Sequence, residues 1–86
     1  MTYRVEVSRG AQAFLKALAQ EDRARCRRLA LPLLRLEKTP RPPESRRLKG
    51  SEESEDRAWE FAGFLIAYRL HEAGRLVEVG VVKKTR

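Results

Sequence analysis

The sequence predicts an α+β fold in the order β-α-α-β-β-β, with an N-terminal helical hairpin packed on an antiparallel, twisted sheet. Two patterns carry that prediction. Apolar residues recur at helical spacing between Ala11 and Leu36, and they alternate with polar residues at the N-terminus and again from Trp59 to Val82. The chain has 86 residues, of which 42% are hydrophobic and 36% charged. That is enough for one domain over residues 1–86 with its own core, and too little for two.

Each element follows from its residues. Tyr3, Val5 and Val7 alternate with Arg4, Glu6 and Ser8, the pattern of a half-buried strand. Ser8 or Arg9-Gly10 starts a helix in which Ala11, Phe14, Leu15 and Leu18 share a face. Gln20-Glu21-Asp22 breaks the period, and Asp22 suits the N-cap of a second helix lined by Cys26, Leu29, Ala30, Leu33 and Leu34 or Leu36. The short connection makes the two an αα-hairpin. Pro32 falls inside the second helix, where the lost hydrogen bond and the clash with the Arg28 carbonyl cost about 3 kcal/mol. The apolar spacing keeps its phase through Pro32, so the expectation is a kink near Arg28–Leu31 and not a break.

The segment from Thr39 to Ser45 holds three prolines and reads as a stiff, ordered loop. Arg46-Arg47-Leu48-Lys49-Gly50 continues the connection, and Glu52-Glu53-Ser54-Glu55-Asp56 reads as a mobile loop. Strand character returns at Ala58. Trp59 and Phe61 flank Glu60, Ala62-Gly63 makes a tight turn, and Phe64, Ile66, Tyr68 and Leu70 alternate with Leu65, Ala67 and Arg69. Glu72-Ala73-Gly74 makes a second turn before a Val-rich strand from Leu76 to Val82.

Charge is concentrated. Lys and Arg number 19 against 12 Asp and Glu, for a net +7, and 14 of the cations are arginines. Residues 23–49 alone carry ten cations and two acids, Glu37 and Glu44. Clustered arginine suits phosphate through bidentate contacts and counterion release. A solvated helix face gives the same pattern without a ligand. An Arg-rich, heat-adapted composition does too, and the absence of Asn fits a thermophile.

Several classes are excluded. One cysteine, Cys26, forms no internal disulfide and points to a reducing, cytoplasmic setting. One Cys and one His make no zinc site, and no metal or organic cofactor is expected. No apolar run reaches the ~18 residues of a membrane span, and the N-terminal residues carry no secretory signal.

In this order the elements resemble the RelE/ParE toxins of bacterial and archaeal toxin–antitoxin systems. Three features carry the likeness: the opening Tyr3–Val7 strand and its helix; the Arg/Leu helix followed by a proline loop and Arg47-Leu48-Lys49-Gly50; and the hairpin Trp59–Leu70 with its last strand Leu76–Lys84. The RelE-like branch is a ribosome-dependent messenger RNA endoribonuclease, in which a ribose 2′-hydroxyl attacks the neighbouring phosphate. The ParE-like branch blocks DNA gyrase and needs no nuclease residues. Either branch implies an acidic antitoxin partner that folds on contact.

On that resemblance Lys49, Lys84 and His71 are the candidate catalytic groups. Arg46, Arg47, Lys49, Arg69, Lys83 and Lys84 would form a phosphate-binding wall, and Arg23, Arg27, Arg28 and Arg35 would dock the antitoxin. Each has a plainer reading as a solvated surface cation, and His71 as an exposed loop histidine. Tyr68, Trp59 and Phe61 alternate as core residues, although aromatics also stack on bases. Glu60 and Leu65 occupy positions where the family commonly shows Arg, and the chain stops at Arg86 without a Tyr-containing tail. Those departures point to the alternative, a non-catalytic binding protein of the same fold. A general nucleic-acid-binding domain would also account for the basic segment.

Overall fold

The computed structural model describes residues 2–50 and 54–85. Strand β1 (Arg4–Val7) leads into helices α1 (Arg9–Glu21) and α2 (Arg23–Arg35), and strands β2 (Arg46–Gly50), β3 (Ser54–Phe61), β4 (Phe64–His71) and β5 (Leu76–Lys84) follow. The helix boundaries are set by capping side chains. Ser8 Oγ accepts from the Ala11 N–H at 3.1 Å while donating to the Gly80 carbonyl at 2.7 Å. Asp22 serves both helices: its N–H closes α1 onto Leu18, and its carboxylate accepts from the Arg25 N–H.

The α2 helix runs unbroken through Pro32, whose ring is buried. Pro32 therefore does not split the helix, and its packing offsets the missing backbone bond.

The five strands lie in the order β1-β5-β4-β3-β2. The sheet is mixed, which corrects the expectation of an all-antiparallel one: β1 runs parallel to β5, with Val5 opposite Val77 and Val7 opposite Val79. The helical hairpin carries the chain from β1 to the far edge of the sheet, and the antiparallel series β2, β3, β4, β5 ends with β5 beside β1. A second correction concerns residues 46–57. Arg46–Gly50 is an edge strand, and Ser54–Arg57 extends β3 upstream of Ala58. Glu52 and Glu53 lie outside the described residues.

The helices cover one face of the sheet. Phe64, Ile66, Tyr68 and Leu70 of β4, Trp59 of β3 and Val77, Val79 and Val82 of β5 meet Leu18, Leu29 and Leu36 in a single core. Each such side chain contributes about 1.5–3 kcal/mol on burial. Phe14 stands edge-on to Phe64, with ring centres 6.1 Å apart. Tyr68 is buried and its hydroxyl donates to the Pro40 carbonyl at 2.8 Å, pinning the proline loop. The β3–β4 turn places both Ala62 (φ 54°) and Gly63 (φ 83°) in the left-handed region, as a two-residue hairpin with right-twisted strands requires.

Candidate nucleic-acid interface

The helices pack on one face of the sheet only, and strand register decides what the opposite face shows. Lys49 of β2 is paired with Asp56 of β3, Asp56 with Arg69 of β4, and Arg69 with Glu78 of β5. Four charges of alternating sign thus lie in one row across the sheet. The next row holds Ser54, His71 and Leu76; on the other side come Arg46, Ala58, Ala67 and Val81, then Glu60, Leu65 and Lys83.

The row is internally compensated. Arg69 Nε donates to Asp56 Oδ1 at 2.7 Å. That hydrogen bond holds the Asp56 carboxyl below its ordinary range, with the charge of Lys49 adding to the effect. His71 Nε2 is hydrogen-bonded to Glu78 Oε1. A carboxylate only accepts, so Nε2 is the donor of this bond, and in the neutral form of the ring the lone pair is on Nδ1.

Of the residues expected to form a phosphate-binding wall, Arg46, Lys49, Arg69 and Lys83 share this open face, and His71 stands beside them. Lys84 does not join them. It is in register with Phe64 on the helix side, and its Nζ lies 3.7 Å from Glu21 at the end of α1. The cause is a bulge in β5 between Val79 and Val81, which exchanges the faces of the residues after it. Arg47 also lies on the helix side, opposite Arg57, and its guanidinium donates to the Gly50 carbonyl. The expected convergence of all the cations is therefore met only in part. Glu60 and Leu65 face each other on the open side, next to Lys83.

On α2, Arg23, Arg27, Arg28 and Arg35 are exposed. The Arg35 guanidinium also packs over the Trp59 ring at 5.6 Å. Among these cations Leu31 and Leu34 stand 63% and 60% exposed, an apolar stripe on a basic helix. Such a surface suits an amphipathic, acidic partner.

Sequence reasoning passed over the carboxylates Asp56 and Glu78. The signal was present: a two-residue turn at Ala62-Gly63 fixes the hairpin register, and counting back from it sets Asp56 opposite Arg69. It also passed over a polar clasp across one end of the sheet. Tyr3 donates to Glu72 at 2.7 Å, Arg41 bridges Glu72 and Glu55, and Arg57 joins Glu55 to Ser45. Burial alone would raise the Glu55 carboxyl, but hydrogen bonds from Arg57 and Arg41 hold it below its ordinary range. Two further features bear on the site: among the described residues no three His, Cys, Asp or Glu side chains are grouped to hold a metal, and no helix is long and apolar enough to cross a membrane.

No protein-family model matches the sequence, and no curated protein matches it. Solved structures do. The archaeal RelE–RelB complex from Pyrococcus horikoshii OT3 superposes with a TM-score of 0.88 at 22% identity, over 99% of this chain and 97% of that one. The isolated E. coli RelE toxin gives 0.68 at 19% identity, over 98% and 85% of the two chains. The intact E. coli RelBE toxin–antitoxin complex gives 0.67 at 19% identity, over 98% of each chain. The chain has the RelE fold along nearly its whole length.

Proposed function

We propose that this chain, built on the RelE fold, is the toxin of a toxin–antitoxin pair and cleaves messenger RNA on the ribosome. The observation that carries the reading is the grouping of Lys49, Arg69 and His71 on adjacent rows of an uncovered sheet face. The solved complexes of RelE with RelB support an antitoxin partner, for which the basic α2 surface is the fitting site.

The chemistry needs a base, charge stabilisation and an acid. His71, its Nε2–H held by Glu78, takes the proton of the ribose 2′-hydroxyl on Nδ1. The oxygen attacks phosphorus, and Lys49 and Arg69 stabilise the phosphorane. The bond to the 5′-oxygen breaks, and that oxygen takes a proton from the Lys49 ammonium or from water. The products are a 2′,3′-cyclic phosphate and a 5′-hydroxyl end. Lys83 and Arg46 hold flanking phosphates.

A second reading is a non-catalytic member of the fold that acts by binding alone. It is favoured by the engagement of Arg69 with Asp56 and of His71 with Glu78, and by the turning of Lys84 to the helix side. Induced expression in a bacterial host, with mapping of messenger RNA ends on ribosomes, separates the two. Growth arrest with new cuts inside ribosome-bound codons is the expected result; arrest without cuts would leave the binding reading, with gyrase among the targets to examine.

A further inference from the structure

Two bulges fall at the same level of the open sheet face, on either side of the β3–β4 pair. In β2, Leu48 is the extra residue between the Arg47–Arg57 and Lys49–Asp56 pairs. In β5, Gly80 is the extra residue between the Val79–Tyr68 and Val81–Ala67 pairs. Bulges bend a strand and re-aim its side chains. The result is a trough walled by Leu48 and Val81, which are 56% and 46% exposed, with the small residue Ala67 between them. At Gly80 its wall is bare backbone, since a Cβ there would meet nothing nearer than the Ala67 carbonyl at 3.8 Å. One end is polar, formed by Asp56, Arg69 and Glu78. The concavity measures about 400 Å³, within the range of sites for small flat ligands.

We infer that this trough is a nucleobase subsite, which takes a base bearing an exocyclic amine from single-stranded RNA lying on the open face. The inference rests on the RNA reading above and deepens it. The occupant is chosen by charge. An acidic side chain lying in the trough would meet the carboxylates of Asp56 and Glu78 and be repelled. An aliphatic side chain would strip water from both without replacing its hydrogen bonds. A base satisfies both ends: its flat faces lie against Leu48 and Val81, its amine donates to a carboxylate, and a ring acceptor takes a bond from Arg69. Each carboxylate keeps free lone pairs after its bond to Arg69 or His71. Uracil, with no amine, fits worst.

The test is anisotropy titration of the full chain with fluorescein-labelled single-stranded hexaribonucleotides: oligocytidine, oligouridine, and oligocytidine with one abasic ribose at each position in turn. Oligocytidine should bind roughly tenfold tighter than oligouridine, and one abasic position should cost a similar factor. Ala67→Leu, which fills the floor, should bring oligocytidine down to the oligouridine affinity and leave oligouridine unchanged. Val81→Ala, a truncation at an exposed position, should narrow the same gap if Ala67→Leu fails to fold. Equal affinity for all three oligonucleotides would overturn the subsite and leave the RNA reading standing. No binding to any of them would overturn the subsite, and the RNA reading falls with it only if ribosome-bound messenger also stays uncut. Methyl NMR signals of Leu48 and Val81 that respond to an apolar peptide but not to RNA would assign the trough to a protein partner and overturn the inference.

Discussion

Arg69 and Asp56 face each other directly across the β3–β4 hairpin, with the guanidinium Nε 2.7 Å from the carboxylate. The pair places a negative charge between the two cations, Lys49 and Arg69, best sited for a phosphate. Its effect on RNA binding is therefore restraining. Asp56→Asn frees Arg69, so RNA should bind several-fold tighter at low salt. The slope of log affinity against log salt should steepen by about one unit, the value for one added phosphate contact. An unchanged slope would mean that Arg69 does not reach the RNA backbone.

Lys49 and Lys84 are alike as residues and differ in where the sheet puts them. Lys49→Ala should lower RNA cleavage roughly a hundredfold, the usual cost of removing one charge-stabilising group. Lys84→Ala should leave cleavage nearly unchanged, because its Nζ lies toward Glu21 on the helix side. Equal losses in single-turnover assays of the two variants would contradict the face assignment.

The exposed stripe of α2 gives a third expectation. Leu31→Asp combined with Leu34→Asp removes apolar surface from solvent-facing positions, so the unfolding free energy should move by no more than about 1 kcal/mol, roughly 0.5 for each exposed position. Affinity for an acidic antitoxin should fall at least tenfold. Titration calorimetry with the antitoxin and denaturant unfolding of the isolated chain measure the two effects separately. Undiminished affinity would place the antitoxin elsewhere.

Stability should fall in acid through the clasp. The Glu55 side chain is 11% exposed and paired with Arg57 and Arg41, which outweigh its burial and hold its folded pKa below the unfolded value. Its contribution is thus fully present above the unfolded carboxyl pKa, about 4.3, and is lost as pH drops through the folded value. Glu72, hydrogen-bonded by Tyr3 and Arg41, acts in the same direction. Urea midpoints measured from pH 6 to pH 3 should decline less steeply for Glu55→Gln than for the unsubstituted chain. At neutral pH, Glu55→Ala should cost about 3 kcal/mol, since it leaves the guanidinium of Arg57 without its carboxylate, held by Ser45 alone. Parallel pH profiles would show that Glu55 titrates alike folded and unfolded.

Much of the fold was legible because burial writes a period into the sequence. The helix face Ala11–Leu18, the cap Asp22 and the alternation Phe64–Leu70 all match the structure. The missed strand, Arg46–Gly50, is exposed at every position, so no apolar alternation marks it. The start of β3 was hidden for a different reason. Its helix-side residues are Glu55 and Arg57, which satisfy each other and Ser45 where apolar side chains would otherwise stand. The parallel pairing of β1 with β5 joins residues at opposite ends of the chain, which no local pattern encodes. Of the two members of the candidate site that turn to the helix side, Arg47 and Lys84, the placement of Lys84 traces to one residue. Without the bulge at Gly80, strict alternation from Val77 and Val79 would turn Val81 and Lys83 to the helices; with it, Val82 and Lys84 turn there.

The most direct measurement is the chemistry of RNA ends after translating ribosomes are incubated with the chain and with its His71→Gln variant. Cuts within ribosome-bound codons, with 2′,3′-cyclic phosphate and 5′-hydroxyl ends that largely disappear in the variant, are the predicted result. Ribosome-bound messenger that stays intact, from folded chain that still binds RNA, would contradict the nuclease account and leave the open sheet face as a binding surface only.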